Sequence, residues 1–193
     1  NVACHFFVHP TTNQVTWFGS NENLPNDDGS WSSDSCLTIP NQKKLRDLQL
    51  PFVKDVVRYA KSLGFWGFCG IDVLFDASGK GYLVDVNPRV TGSSPALMVG
   101  RLLKKEYGFD YGLFRGTGAN RFHGTLEEMF QQVAEYNEAN EGSSRIVIFS
   151  ANPNNTTDIG NKNVVMNLGV YGHSMEECQT VLNQFAHPQR RTT

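Results

Sequence analysis

The sequence predicts an α+β fold, an antiparallel sheet flanked by helices. Short apolar runs come in pairs around turn-forming or polar stretches, at 2–8 with 14–19, at 71–75 with 82–86 and at 145–150 with 164–171, the pattern of paired strands. Residues 42–63 repeat their apolar side chains at helical spacing. Two Ser/Thr-x-x-Glu motifs, Thr125–Glu128 and Ser174–Glu177, each have the form of a capping box that opens a further helix.

In chain order, the first pair closes around Pro10-Thr-Thr-Asn13 as a hairpin. Residues 20–36 are polar and rich in turn formers, so a long loop is expected, with Trp31 docking on the core or on a ligand. The helix over 42–63 presents Leu45, Leu48, Phe52, Val53, Val56, Val57, Ala60 and Leu63 on one face. Pro51 should kink or split it, and Gly64 should end it. Beyond the second hairpin, Val90-Thr-Gly-Ser-Ser94 leads into Pro95, a favourable first residue for a helix over 96–107. Residues 108–122 carry four glycines and read as a loop holding Arg115 and Arg121; Gly116-Thr-Gly118 lacks the flanking strand, helix and lysine of a phosphate loop. A helix to about Asn140 follows, then two strands around a polar loop (151–162), in which Asn154 and Asn155 each begin an N-x-[ST] sequon. The last helix runs to Phe185, and the polar tail from His187 should fray. We divide the chain into 1–140 and a small strand-loop-strand-helix unit, 141–193.

Composition excludes several classes. At 193 residues, with 39% hydrophobic residues and 13 Phe, the chain can build a real core. A net charge of −2 gives no electrostatic footprint for nucleic acid or a membrane surface, and no apolar run reaches the roughly 18 residues of a transmembrane helix. The four cysteines are scattered without metal-ligand spacing, as expected of free thiols in a reducing, cytoplasmic setting. Cys69 reads as a small buried hydrophobe. The five histidines do not cluster, and no serine sits at a hydrolase elbow.

The segment that carries chemistry is Gly67–Pro95, GFCGIDVLFDASGKGYLVDVNPRVTGSSP. With its turn centred on Ser78–Gly79, Asp72 faces Asp85, their Cβ atoms roughly 5 Å apart. Two carboxylates so placed repel unless a cation or proton lies between them. Asn87, two residues past Asp85, points to the same side, and the three oxygens suit Mg²⁺ or Mn²⁺. Ile71, Val73, Phe75, Tyr82, Val84 and Val86 should form the opposite, apolar face that fixes the register. The Thr-Gly-Ser-Ser approach to the following helix offers backbone N–H groups to an anion, although ordinary capping is an equal alternative.

These residues, G-x-D-x-x-x-D, a glycine-containing turn, then Y-x-x-D-x-N-P-R and T-G-S, resemble the metal-binding hairpin of the ATP-grasp superfamily, including the separation of 13 between Asp72 and Asp85. The resemblance is specific over about residues 64–99, and its continuation through Thr91-Gly-Ser is closest to the amide- and peptide-forming ligases. It implies an ATP-grasp C-terminal subdomain followed by a small α/β module that supports the nucleotide cleft from outside. The implied activity is ATP-dependent activation of a carboxylate as an acyl phosphate and its transfer to an amine. The implied roles place Mg²⁺ (or Mn²⁺) on Asp72, Asp85 and Asn87, the nucleotide beside Leu74 and Val84, the reacting group on Arg89, and the substrate on Arg89, Thr91, Gly92, Ser93 and Ser94. The implied partners are ATP, a small carboxylic acid, a small amine, and an N-terminal part of the same protein that completes the nucleotide wall.

There are departures: Asp85 stands where Glu is commoner, and Gly70 where some ligases place a basic phosphate contact. A non-catalytic scaffold of the same fold, or a metal-dependent nucleotide hydrolase, are the alternatives.

Overall fold

The computed structural model describes residues 1–12, 14–25, 34–116, 120–154, 163–185 and 187–188. Trp31, residues 117–119 of the glycine-rich stretch and the Asn155 sequon lie outside them. The strands are β1 (Val2–Val8), β2 (Val15–Asn23), β3 (Asp34–Thr38), β4 (Gly67–Phe75), β5 (Gly81–Asn87), β6 (Tyr111–Arg115), β7 (Asn120–His123), β8 (Ser144–Asn154), β9 (Asn163–Gly172) and β10 (His187–Pro188). The helices are α1 (Gln42–Ser62), α2 (Ser94–Tyr107), α3 (Leu126–Ala139) and α4 (Met175–Phe185). Every strand pair is antiparallel. The order is β5-β4-β1-β2-β3-β6-β9; β7 shares the β6 side of β9, β10 extends β7, and β8 pairs with β9. This is the expected α+β class, and strands from before and after residue 140 belong to one sheet.

Period-2 alternation sorts the strands onto two faces. Cys4, Phe6 and Val8 of β1 pack with Cys69, Ile71 and Val73 of β4 beneath Val53, Val56 and Val57 of α1. Further along the sheet, Leu113, Ile146, Met166, Leu168 and Val170 pack against Met129 and Val133 of α3 and Cys178, Val181 and Leu182 of α4. Leu37, Phe114 and Tyr171 instead meet Ala96, Leu97 and Leu103 of α2. Ala3 and His5, alternating with the α1-facing residues of β1, point to the side where Ala96 of α2 borders a cavity.

Several expectations need correction. The stretch 20–36 is not all loop: its ends complete β2 and begin β3. Residues 108–122 hold β6 and β7, with Arg115 and Arg121 on strands. Gly112 is part of the reason β6 escaped notice, since a Cβ there would lie 2.9 Å from the Tyr171 ring that packs across it. β8 continues to Asn154 through the first part of the expected loop, and the tail's first residues pair with β7.

Pro51 neither splits nor ends α1. It lies on the exposed side of the helix, where the carbonyl it deprives of a partner can be hydrated. The predicted apolar face is only partly buried: Leu48 and Leu63 are exposed, whereas Gln49 is fully buried, accepting from Ser20 Oγ at 2.7 Å and donating to the Val2 carbonyl at 3.1 Å. Gly64 does end the helix, at φ +76°. Its N–H bonds the Lys61 carbonyl and that of Phe65 the Ala60 carbonyl, a Schellman closure.

The capping box at Thr125 forms in full. At Ser174 only half of it does: Ser174 Oγ accepts from Glu177 N–H, but the Glu177 carboxylate accepts from His173 N–H instead.

Candidate metal and anion site

The site begins with a turn. Asp76 Oδ1 accepts from Ser78 N–H at 2.9 Å, Ser78 Oγ at 2.6 Å and Lys80 N–H at 3.0 Å, while Gly79 takes φ +83°. These donors hold the Asp76 carboxyl below its usual range, the Ser78 hydroxyl foremost. Thus anchored, β4 and β5 pair with Asp72 directly opposite Asp85 and Gly70 opposite Asn87, so the expected facing of the carboxylates is present. The pairing does not run uniformly to the turn. A bulge after Asp72 shifts the register, and Val73 pairs with Leu83. The expected apolar face is therefore buried on β4 alone. Ile71 and Val73 are inaccessible, while Tyr82, Leu83, Val84 and Val86 are exposed on the sheet's last strand.

Asp72 is half-buried, and its Oδ1 accepts from Asn23 Nδ2 at 2.8 Å. Burial pushes its carboxyl pKa up and the charge of Asp85 adds to that, against the Asn23 hydrogen bond and the N-terminal charge. A carboxylate strained in this direction is one a cation would relieve. Asp85 accepts from Val86 N–H at 2.9 Å and from Asn87 Nδ2 at 2.7 Å. Asn87 Oδ1 in turn accepts from Arg89 Nη2 at 2.9 Å. For Asn87 to offer its oxygen to a cation shared with Asp85, the amide must turn over and release Arg89. Among the described residues no three His, Cys, Asp or Glu side chains converge on one metal position.

Asp72, Asp85, Asn87, Arg89, Thr91, Gly92 and Ser93 border one cavity of about 460 Å³. Ser94 sits behind it, its Oγ 3.1 Å from Thr91 N–H and 3.1 Å from Thr91 Oγ1. Leu74 and Val84 are exposed and outside the cavity lining. Helix α2 begins at Ser94 with Ser93 as its N-cap, and no side chain caps it.

The structure also brings in residues that the sequence did not single out. Asp34 and Arg115, from stretches read as loops, form an ion pair of 2.9 Å that also lines the cavity. Phe149, Asn167 and Leu168 of β8 and β9 also line the cavity, so residues of the C-terminal unit border it. His5 is the largest omission. It is 3% exposed and borders the cavity from the middle of β1, and burial lowers its pKa to about 4 against an opposing hydrogen bond with Asn21. The available signal was a lone histidine within an apolar strand, alternating with Cys4 and Phe6.

Gly70 has a clear role in this arrangement. A Cβ on it would lie 2.9 Å from Thr91 Cγ2 and 3.1 Å from His5 Nδ1, so only glycine lets these two side chains meet over β4. No described helix is long and apolar enough to cross a membrane.

In sequence, residues 38–93 match a family model described as an ATP-grasp domain. No curated protein matches the chain. In fold it is similar to the biotin carboxylase domain of Hydrogenobacter thermophilus 2-oxoglutarate carboxylase, solved with MgADP and bicarbonate, at 11% identity and TM-score 0.53, covering 95% of this chain and 44% of that one. It is also similar to the phosphoribosylaminoimidazole carboxylase ATPase subunit of Aquifex aeolicus, at 12% identity and TM-score 0.51, covering 95% of this chain and 54% of that one. A Bacillus licheniformis L-amino acid ligase also aligns, over 95% of this chain and 51% of that one at 15% identity, but its TM-score of 0.46 carries no argument. At these identities the likeness is one of fold. The chain spans about half the length of these structures, or less of it.

Proposed function

We propose, from the match of residues 38–93 to an ATP-grasp domain model and from a similar fold along the chain, that the chain supplies the metal and substrate side of an ATP-dependent carboxylate–amine ligase. The observation that carries the proposal is the opposed pair Asp72 and Asp85 bordering the same cavity as Arg89 and the Thr91–Ser93 loop.

Asp72, Asp85 and Asn87 would hold Mg²⁺ or Mn²⁺, which supplies charge neutralisation for phosphate oxygens. Asn23, which donates to Asp72 Oδ1 at 2.8 Å, would orient that carboxylate toward the cation. Arg89, on the same strand end, offers a planar fork of donors to an acyl phosphate or a carboxylate. The Gly92 and Ser93 backbone N–H groups, at the approach to α2, would be the donors to the same anion, since the Thr91 and Ser94 N–H groups are already bonded to Ser94 Oγ and the Thr91 carbonyl. The half-buried setting of Asp72 would strengthen its own attraction for a cation relative to water. Leu74 and Val84, exposed on the hairpin beside the cavity, are available to the flat face of a nucleotide base. Catalysis here is positioning and charge stabilisation, since phosphoryl and acyl transfer ask for little else from the protein.

The experiment is Mg²⁺-dependent ATP turnover by the full-length protein. Asp85→Ala and Asn87→Ala should each abolish it, a loss of several kcal/mol in transition-state stabilisation. Near-normal turnover in both would defeat the assignment. Phosphate release without an acceptor amine would assign a hydrolase instead.

A further inference from the structure

The cavity is backed by an unbroken chain of polar side chains with a single direction. Asn23 Nδ2 donates to Asp72 Oδ1 at 2.8 Å, and Asn23 Oδ1 accepts from Asn21 Nδ2 at 2.9 Å. That leaves Asn21 Oδ1 as acceptor for His5 Nε2 at 3.1 Å, which fixes the imidazole with its proton on Nε2. His5 Nδ1 is then an acceptor, and the Thr91 and Ser94 hydroxyls reach it at 3.0 and 3.2 Å. Every donor in the series points toward Asp72, so the bond dipoles add and polarise one another.

We propose that His5 is a positioning residue that joins the Thr91–Ser94 loop to the Asp72 carboxylate through Asn21 and Asn23, setting the seat of the anion loop and the aim of the metal ligand together. Three observations support it beyond the distances. His5, Asn21 and Ser94 are all 3% exposed or less, so water cannot replace the bonds. Gly70 provides the gap in which His5 meets Thr91. The chain links two patches that are far apart in sequence and share one cavity. The inference rests on the metal-site reading given above, and the test separates the two.

Mn²⁺ binding in the presence of ADP, read from the free-Mn²⁺ electron paramagnetic resonance signal, is measured on the full chain. Asp72→Asn should lose most of the affinity. Asn23→Ala, a half-buried position that tolerates truncation, should raise the dissociation constant about tenfold, the low end for groups that orient metal ligands. His5→Leu and Asn21→Ala, further back, should raise it by about threefold or more. His5→Gln, which keeps a donor toward Asn21 and an acceptor toward the hydroxyls, should restore it. Ser20→Ala, on β2 beside Asn21, removes a buried hydrogen bond to Gln49 of α1 that is not part of the relay; it should lower the Tm and leave Mn²⁺ binding unchanged, which separates positioning from mere stability.

If Asp72→Asn weakens binding while Asn23→Ala, Asn21→Ala and His5→Leu bind as the parent does, the relay is overturned and the metal site stands. If the parent shows no Mn²⁺ binding that Asp72→Asn removes, the metal site fails and the relay with it.

Discussion

His5 makes a quantitative prediction about acid stability. Burial lowers its pKa from 6.5 to about 4, with only the Asn21 hydrogen bond opposing. The folded state therefore binds fewer protons than the unfolded state between those values, and stability falls as pH drops through that window. The contribution is fully present above pH 6.5 and lost progressively toward pH 4. At 1.36 kcal/mol per pKa unit, the full loss is about 3 kcal/mol, of which about 2 kcal/mol is gone by pH 5. Asp72 titrates with the opposite sign, since a raised carboxyl pKa makes the folded state hold its proton longer. The comparison must therefore be a difference against a variant that lacks only the histidine.

The assay is urea unfolding of the parent and His5→Gln at pH 7, 6 and 5, followed by tryptophan fluorescence. The parent should lose about 2 kcal/mol more than the variant between pH 7 and pH 5. A direct check is the His5 ring proton signal in NMR, which should stay at its neutral position at pH 5, well below the ordinary histidine pKa of about 6.5. Parallel loss of stability in the two proteins, or a His5 midpoint near 6.5, would refute the reasoning.

Two further outcomes test the packing. Gly70→Ala drives a Cβ into Thr91 and His5 and should cost about 1–3 kcal/mol in denaturant unfolding, the ordinary penalty for overpacking. The four cysteines are buried and unpaired, and burial raises the thiol pKa of Cys36 and Cys69 to about 11 and of Cys178 to about 12; an aromatic disulfide reagent at pH 8 should leave all four unmodified in the folded chain and label all four in urea.

The site was legible where strand alternation and turn chemistry act locally. Asp76 to Gly79 set the hairpin, so the Asp72–Asp85 facing followed from counting residues. The bulge after Asp72 did not, because nothing in Leu83-Val84 distinguishes a paired residue from an extra one. β6 was hidden by its own glycine, whose reason is the ring of Tyr171 some sixty positions later. The relay was hidden for the same kind of reason: His5, Asn21 and Asn23 are ordinary strand residues until β1, β2 and β4 lie side by side. Gln49 shows the limit from the helix side, where a position that periodicity scores as polar is buried because two strands offer it partners.

β5 ends the sheet and leaves most of its side chains in water, yet it carries Asp85 and Asn87. In hydrogen-exchange terms it belongs to the part of the fold that opens most readily. An ion bridging Asp72 and Asp85 would fasten that strand to its neighbour, and ligand at tenfold excess over its dissociation constant would raise the opening free energy of the hairpin by about 1.4 kcal/mol. The slowing of the β5 amides under added metal is then the binding isotherm itself, read from the backbone.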